Sequence, residues 1–225
     1  MRSTVFARSR WAAGCSVVLG GIAMLVYPGG TARDPTTRGY SLFQNFLSDL
    51  GSTVTYGGQS NSIGALLFAA SLGILVVALF ACLVGLIRLY SESIARRLAW
   101  VAAGFGAVVC AAFIGVAATP ENRFLPLHVE FTFLAFRAFP AVTLLFAMAT
   151  MRERRFSRRA AAAWIALTCV LVAYVAVLQW GPRIVTDRGL SFQATVQKVV
   201  ALTVLMIMGH LSYEADRVAG AVSTG

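Results

Sequence analysis

Residues 63–87 read IGALLFAASLGILVVALFACLVGLI, a run without one Asp, Glu, Lys or Arg. At about 1.5 Å of rise per residue, a helix of this length crosses the ~30 Å hydrocarbon core of a bilayer. The run shows no alternation of polar and apolar residues, so it does not read as a strand of a membrane barrel. Five further windows share its character. Together they predict spans at 11–27, 63–87, 98–118, 127–151, 160–180 and 192–213. A helix satisfies its own backbone groups, which lipid cannot do. The expected fold is therefore all-α: a single polytopic membrane domain, 1–225, with six transmembrane helices.

Composition agrees. Of the 225 residues 58% are hydrophobic and 12% charged, where soluble domains carry about 25% charged residues. A soluble enzyme and a disordered chain are disfavoured. A net charge of +10 would suggest nucleic acid if the arginines shared one soluble face. They lie between apolar runs instead, so membrane lipids are the expected partners and nucleic acid is not.

The short loops set the orientation. Arg2, Arg8, Arg10, Arg88, Arg96, Arg97, Arg152, Arg154, Arg155, Arg158, Arg159 and Arg217 fall on one side, against Arg33, Arg38, Arg123, Arg183 and Arg188 on the other. The richer side is cytoplasmic by the positive-inside rule. Both termini are then cytoplasmic, and the protein is expected as a multi-pass protein of the cell membrane. The basic start of the first span resembles a signal peptide, but no A-x-A site follows its apolar run, so it reads as an uncleaved span.

Cys15, Cys82, Cys110 and Cys169 all fall inside spans without a C-x-x-C pair. They read as small packing residues. Ala69/Gly73, Ala81/Gly85, Ala102/Gly106 and Ala111/Gly115 place small residues four apart, the spacing of close helix contacts in lipid. They predict a tight hairpin of the second and third spans. No repeat relates the first three spans to the last three, which weakens a transporter built on inverted repeats.

The longest connection, 28–62, contains Tyr40-Ser-Leu-Phe-Gln-Asn-Phe-Leu-Ser-Asp-Leu-Gly51. Phe43, Phe46, Leu47 and Leu50 recur at helical spacing, and Gly51 suits the position just past a helix end. A short amphipathic helix is expected here, in the first outer loop. Asp49 would sit in its last turn, where the helix dipole disfavours an anion.

Asn45-Phe-Leu-Ser-Asp-Leu-Gly51, with Asn61-Ser62 before the second span, resembles the bacterial and archaeal membrane family known as domain of unknown function 998. Thr119-Pro-Glu-Asn-Arg-Phe-Leu-Pro-Leu-His128 and Gln197-Lys198 fit its pattern of a Pro-rich turn before a His and a polar-basic pair, though Arg is the expected second member of that pair. The resemblance implies a six-span fold and a membrane location. It implies no activity.

Ionisable residues inside spans are functional candidates by default. Glu130 and Arg137 are seven apart on one face of the fourth span, and Gln193 and Gln197 four apart on the sixth. With Lys198, and roofed by Ser48 and Asp49, they predict a polar pocket in the outer half. His128 belongs to its rim. Asp49 is expected to pair with Arg137 or Lys198 and to dock the loop as a lid. His128 and His210 lie near opposite membrane faces, so no metal is expected, and no cofactor motif occurs. The leading functional expectation is a pocket for a lipid headgroup or small molecule. The alternatives are a small-solute or proton-coupled transporter and a membrane-embedded hydrolase or transferase acting on lipid. No catalytic residue is assigned.

Overall fold

The computed structural model describes residues 4–222. It contains α1 (Val5–Val26), α2 (Ser62–Ile87), α3 (Ser93–Ala118), α4 (Glu121–Arg152), α5 (Arg158–Trp180) and α6 (Asp187–Val222). All six are long and apolar enough to cross a membrane. Among the described residues there is no strand, only isolated bridges at Gly29–Arg38 and Val54–Ser60.

Short polar residues start the helices. The Thr4 hydroxyl accepts from the Ala7 N–H at 3.2 Å and Ser157 from Ala160 at 3.1 Å, while the Glu92 carboxylate accepts from Ile94 and Ala95. Each fills otherwise orphaned first-turn donors. In α4 the regular backbone breaks at Phe124, two residues before Pro126. A proline ring excludes an ordinary turn ahead of it.

The helices form a ring. Each packs on its neighbours in sequence, and α6 returns to α1. The α2–α5 side is dense, with Phe146 stacked on Trp164 at 5.1 Å and Tyr90 on Phe156 at 5.4 Å. Glu153 closes that end, accepting from the Ser91 N–H at 2.7 Å and hydroxyl at 3.0 Å, and from Arg155 Nε at 3.0 Å. On the other side α1 and α2 are clasped by Ser16 and Ser71, each hydroxyl donating to the other's carbonyl at 2.8 Å.

The small residues serve several contacts rather than one hairpin. A Cβ on Gly106 would meet Leu83 of α2 at 2.6 Å, but one on Gly115 would meet the Phe131 ring of α4 at 2.5 Å. Gly85 faces Val5 and Phe6 of α1, and a Cβ on Gly73 would meet nothing. Gly115→Ala should therefore lower stability by about 1–3 kcal/mol, the usual cost of overpacking. Gly73→Ala should be near neutral. Thermal unfolding in detergent checks the contrast.

The expected amphipathic loop helix does not form. Residues 42–44 make a turn, the chain bends at Asn45, and only Ser48–Gly51 completes a 3-10 turn. Asn45 explains the difference. Its side-chain oxygen accepts from the Ser41 N–H at 2.9 Å, and its amide donates to the Gly30 carbonyl at 3.0 Å and to Asp49 at 2.8 Å. Such local bonds compete with a helical ladder. Gly51 is not a left-handed cap either. Its backbone is ordinary, and a Cβ would strike the Phe68 ring at 2.8 Å. Gly51 is small so that Phe68 can approach.

Candidate functional site

The 27–61 loop caps one end of the ring, hereafter the loop end. It is tied down on several sides. The Tyr56 hydroxyl donates to Glu121 at 2.9 Å and the Thr53 N–H to Asn122 Oδ1 at 2.9 Å, both at the start of α4. Arg33 Nε pairs with Asp187 at 3.1 Å at the start of α6. The Asn61 amide donates to the carbonyls of Leu50 and Ser52, at 3.0 and 2.9 Å.

Two residues of α6 hold the middle of the loop. The Leu47 N–H donates to Gln197 Oε1 at 2.7 Å. Lys198 Nζ donates to the Asn45 carbonyl and, at 3.0 Å, to Ala194. The Asn45 carbonyl is free for this because the chain turns there. The Tyr40 hydroxyl donates to it as well, at 3.2 Å, and to the Phe46 carbonyl at 3.0 Å. The Lys198 ammonium also lies 5.4 Å from the Tyr40 ring centroid, within the range of a cation–π contact.

Asp49 is 1% exposed. One carboxylate oxygen accepts from Asn45 Nδ2 and from the Phe46 N–H at 3.0 Å, while the other has no partner. Burial foremost, and the charge of Glu121 next, push its carboxyl up to about 8, against the opposing pull of those hydrogen bonds and of Lys198. The expected ion pair is absent. The ion pairs among the described residues are Arg10–Asp216, Arg33–Asp187, Arg155–Glu153 and Arg217–Glu214. The loop is docked, but by Lys198 on a carbonyl and Gln197 on an N–H.

The expected polar pocket comes together only in part. Ser48, Asp49, Gln197 and Lys198 meet at the loop end. Glu130 and Arg137 do not join them, and both are exposed on the outside of α4. His128, Ala135, Phe139, Val142 and Phe146 form the buried face of α4. At 100° per residue Glu130 and Arg137 lie about 160–180° from it. The Arg137 guanidinium rests 4.7 Å from the Phe133 ring centroid. Gln193 points away too, donating to the Pro182 carbonyl at 2.9 Å in the α5–α6 turn. His128 is buried but stitches the α3–α4 turn. Its Nδ1 lies 2.7 Å from the Thr119 carbonyl, an acceptor, so Nδ1 is the donor. No group of three metal-binding side chains occurs among the described residues.

Beneath the loop the ring borders a half-open cavity of about 510 Å³, the size of a small-molecule site. Leu47, Ser48 and Gln197 close its loop end, and Arg10 and Ser212 stand at the other. Its walls are apolar, from residues such as Leu75, Leu79, Phe136 and Leu205. Neither Asp49 nor His128 lines it. Sequence reading missed this space, along with Asn45, Tyr40 and Arg10. Asn45 stood in the quoted motif, and its side chain was the available signal.

Compared with protein-family profiles, curated proteins and solved structures, the chain matches none of them.

Proposed function

We propose that this is an integral membrane protein of six spans, both termini cytoplasmic, whose central cavity holds a hydrocarbon chain of a membrane lipid beneath a latched outer loop. The cavity carries the reading: it is about 510 Å³, lined mainly by apolar side chains and capped by a loop that Asn45 ties to Asp49 and Gln197 ties to α6. The outside of the ring supports a bilayer, with Leu25 at 86%, Leu66 at 71% and Val77 at 70% exposure. Large exposed apolar surface marks contact with something other than water. The arginine asymmetry supports the orientation, and the Asn45–Gly51 motif supports kinship with the domain of unknown function 998 family.

A polar-solute transporter fits the apolar walls poorly. A hydrolase fits poorly as well, since Asp49 and His128 are engaged in structural hydrogen bonds outside the cavity. The headgroup pocket expected from the polar residues thus gives way to a chain pocket below them.

Lipid retained after mild extraction tests the reading. Native mass spectrometry of the wild type should show one tightly held lipid. Ala201→Phe, on the cavity wall, should lose it with little change in melting temperature. Equal retention in both contradicts the proposal. For orientation, Ala32→Cys should react only with outside reagent and Arg159→Cys only with inside reagent, in a background without the native cysteines. The reverse pattern overturns the topology.

A further inference from the structure

The two ends of the cavity differ in a way that bears on its ligand. At the loop end the two α6 side chains are engaged: Gln197 accepts from the Leu47 N–H, and Lys198 donates to the carbonyls of Asn45 in the loop and Ala194 in α6. At the opposite end Arg10 lines the cavity beside Ser212. Its Nη2 pairs with Asp216 at 2.6 Å, and its Nη1 reaches the Ser212 hydroxyl only at 3.4 Å. A guanidinium carries five N–H donors in a fork that suits carboxylate and phosphate oxygens, so Arg10 keeps donors for a further anion.

Open space lies beside it. The side-chain bonds between α1 and α6 gather near this end: Thr4 and Arg10 to Asp216, Arg10 to Ser212, and the Ser212 hydroxyl to the Phe6 carbonyl at 3.0 Å. One helical turn further toward the loop, Gly14 and Gly209 border the cavity, and a Cβ on either would meet nothing within 4 Å. Gly14 lies four residues from Arg10 and Gly209 three from Ser212, so each glycine stands above its polar partner on one helix face.

The cavity's length suits an extended hydrocarbon chain. Gln197 and Ser212 mark its ends on α6, about 22 Å apart along the helix.

Resting on the lipid-chain reading above, we propose that the cavity takes a single-chain amphiphile with an anionic head, carboxylate or phosphate, seated on Arg10, while Ser212 keeps its bond to the Phe6 carbonyl. The tail enters from the cytoplasmic leaflet between Gly14 and Gly209 and runs toward Leu47.

Delipidated full-length protein in detergent, titrated with oleate, 1-oleoyl-lysophosphatidate and methyl oleate, tests this by native mass spectrometry. Either acid should bind about tenfold tighter than the neutral ester, the scale of one charged hydrogen bond. Whichever acid binds tighter identifies the head as carboxylate or phosphate. Arg10→Gln should remove the advantage over the ester, and Gly209→Phe should weaken all three ligands. Equal binding of acids and ester by the wild type overturns the anionic head and leaves the chain cavity standing, a result that needs no variant to fold. An advantage that survives Arg10→Gln also overturns the assignment to Arg10. Failure of all three ligands to bind sinks the chain cavity and this proposal together.

Discussion

Asp49→Ala should cost about 2–4 kcal/mol of stability and release the 27–61 loop, whereas Asp49→Asn should stay within about 1 kcal/mol of wild type. The alanine strands the buried Asn45 amide and Phe46 N–H, which have Asp49 as an acceptor. The asparagine keeps a carbonyl oxygen for both and imitates the protonated acid. The pH dependence follows from the same burial. The carboxyl is raised from 3.8 to about 8 in the fold, so the folded state holds a proton that the unfolded chain has lost. Asp49 therefore erodes stability as pH rises from about 4 to about 8, with the full penalty above that. Thermal unfolding across pH, wild type against Asp49→Asn, checks it: the variant should lose that decline.

Glu153→Ala, at the opposite end, should cost about 2–3 kcal/mol. It leaves the Ser91 N–H and hydroxyl without their carboxylate and removes the partner of Arg155. Burial favours the neutral acid, but the bonds from Arg155 and Ser91 overcome it and hold the carboxyl down at about 2 against 4.5. With its pKa depressed in the fold, Glu153 stabilises fully above about 4.5 and loses that contribution as pH falls toward about 2. The two carboxylates thus act in opposite directions. Glu153→Gln should flatten the acid limb of the same stability curve and leave the alkaline limb to Asp49.

The six helices were legible because long apolar runs, long enough to cross a membrane, leave little ambiguity. The second span, expected at 63–87, is Ser62–Ile87. The sixth, expected at 192–213, runs over Asp187–Val222. Its polar ends, including Glu214, Asp216 and Arg217, carry no apolar signal yet continue the helix. The loop helix was misread because helical spacing of Phe43, Phe46, Leu47 and Leu50 says nothing of Asn45, whose side chain takes the bonds a helix would need. Phe43 is in fact 64% exposed.

The candidate site was legible only where neighbours in sequence are neighbours in space. Ser48, Asp49, Gln197 and Lys198 meet, but the reading chose the wrong contacts for them. Periodicity placed Glu130 and Arg137 on one face of α4 and left open which face turned inward. The aromatic and alanine packing of Ala135, Phe139 and Phe146 decides that, and it depends on helices elsewhere in the chain. The Arg10–Asp216 pair joins residues 206 positions apart, so no local pattern announces it.

Photo-crosslinking tests the lipid-chain cavity most directly. A lipid bearing a photoactivatable group near the middle of one acyl chain is incorporated into membranes holding the full-length protein, irradiated, and mapped by peptide mass spectrometry. Adducts are predicted on cavity-lining residues such as Leu79, Phe136 and Leu205, and they should vanish in Ala201→Phe. Adducts confined to outward residues such as Trp100, Leu202 and Met206, unchanged by that substitution, would contradict the account.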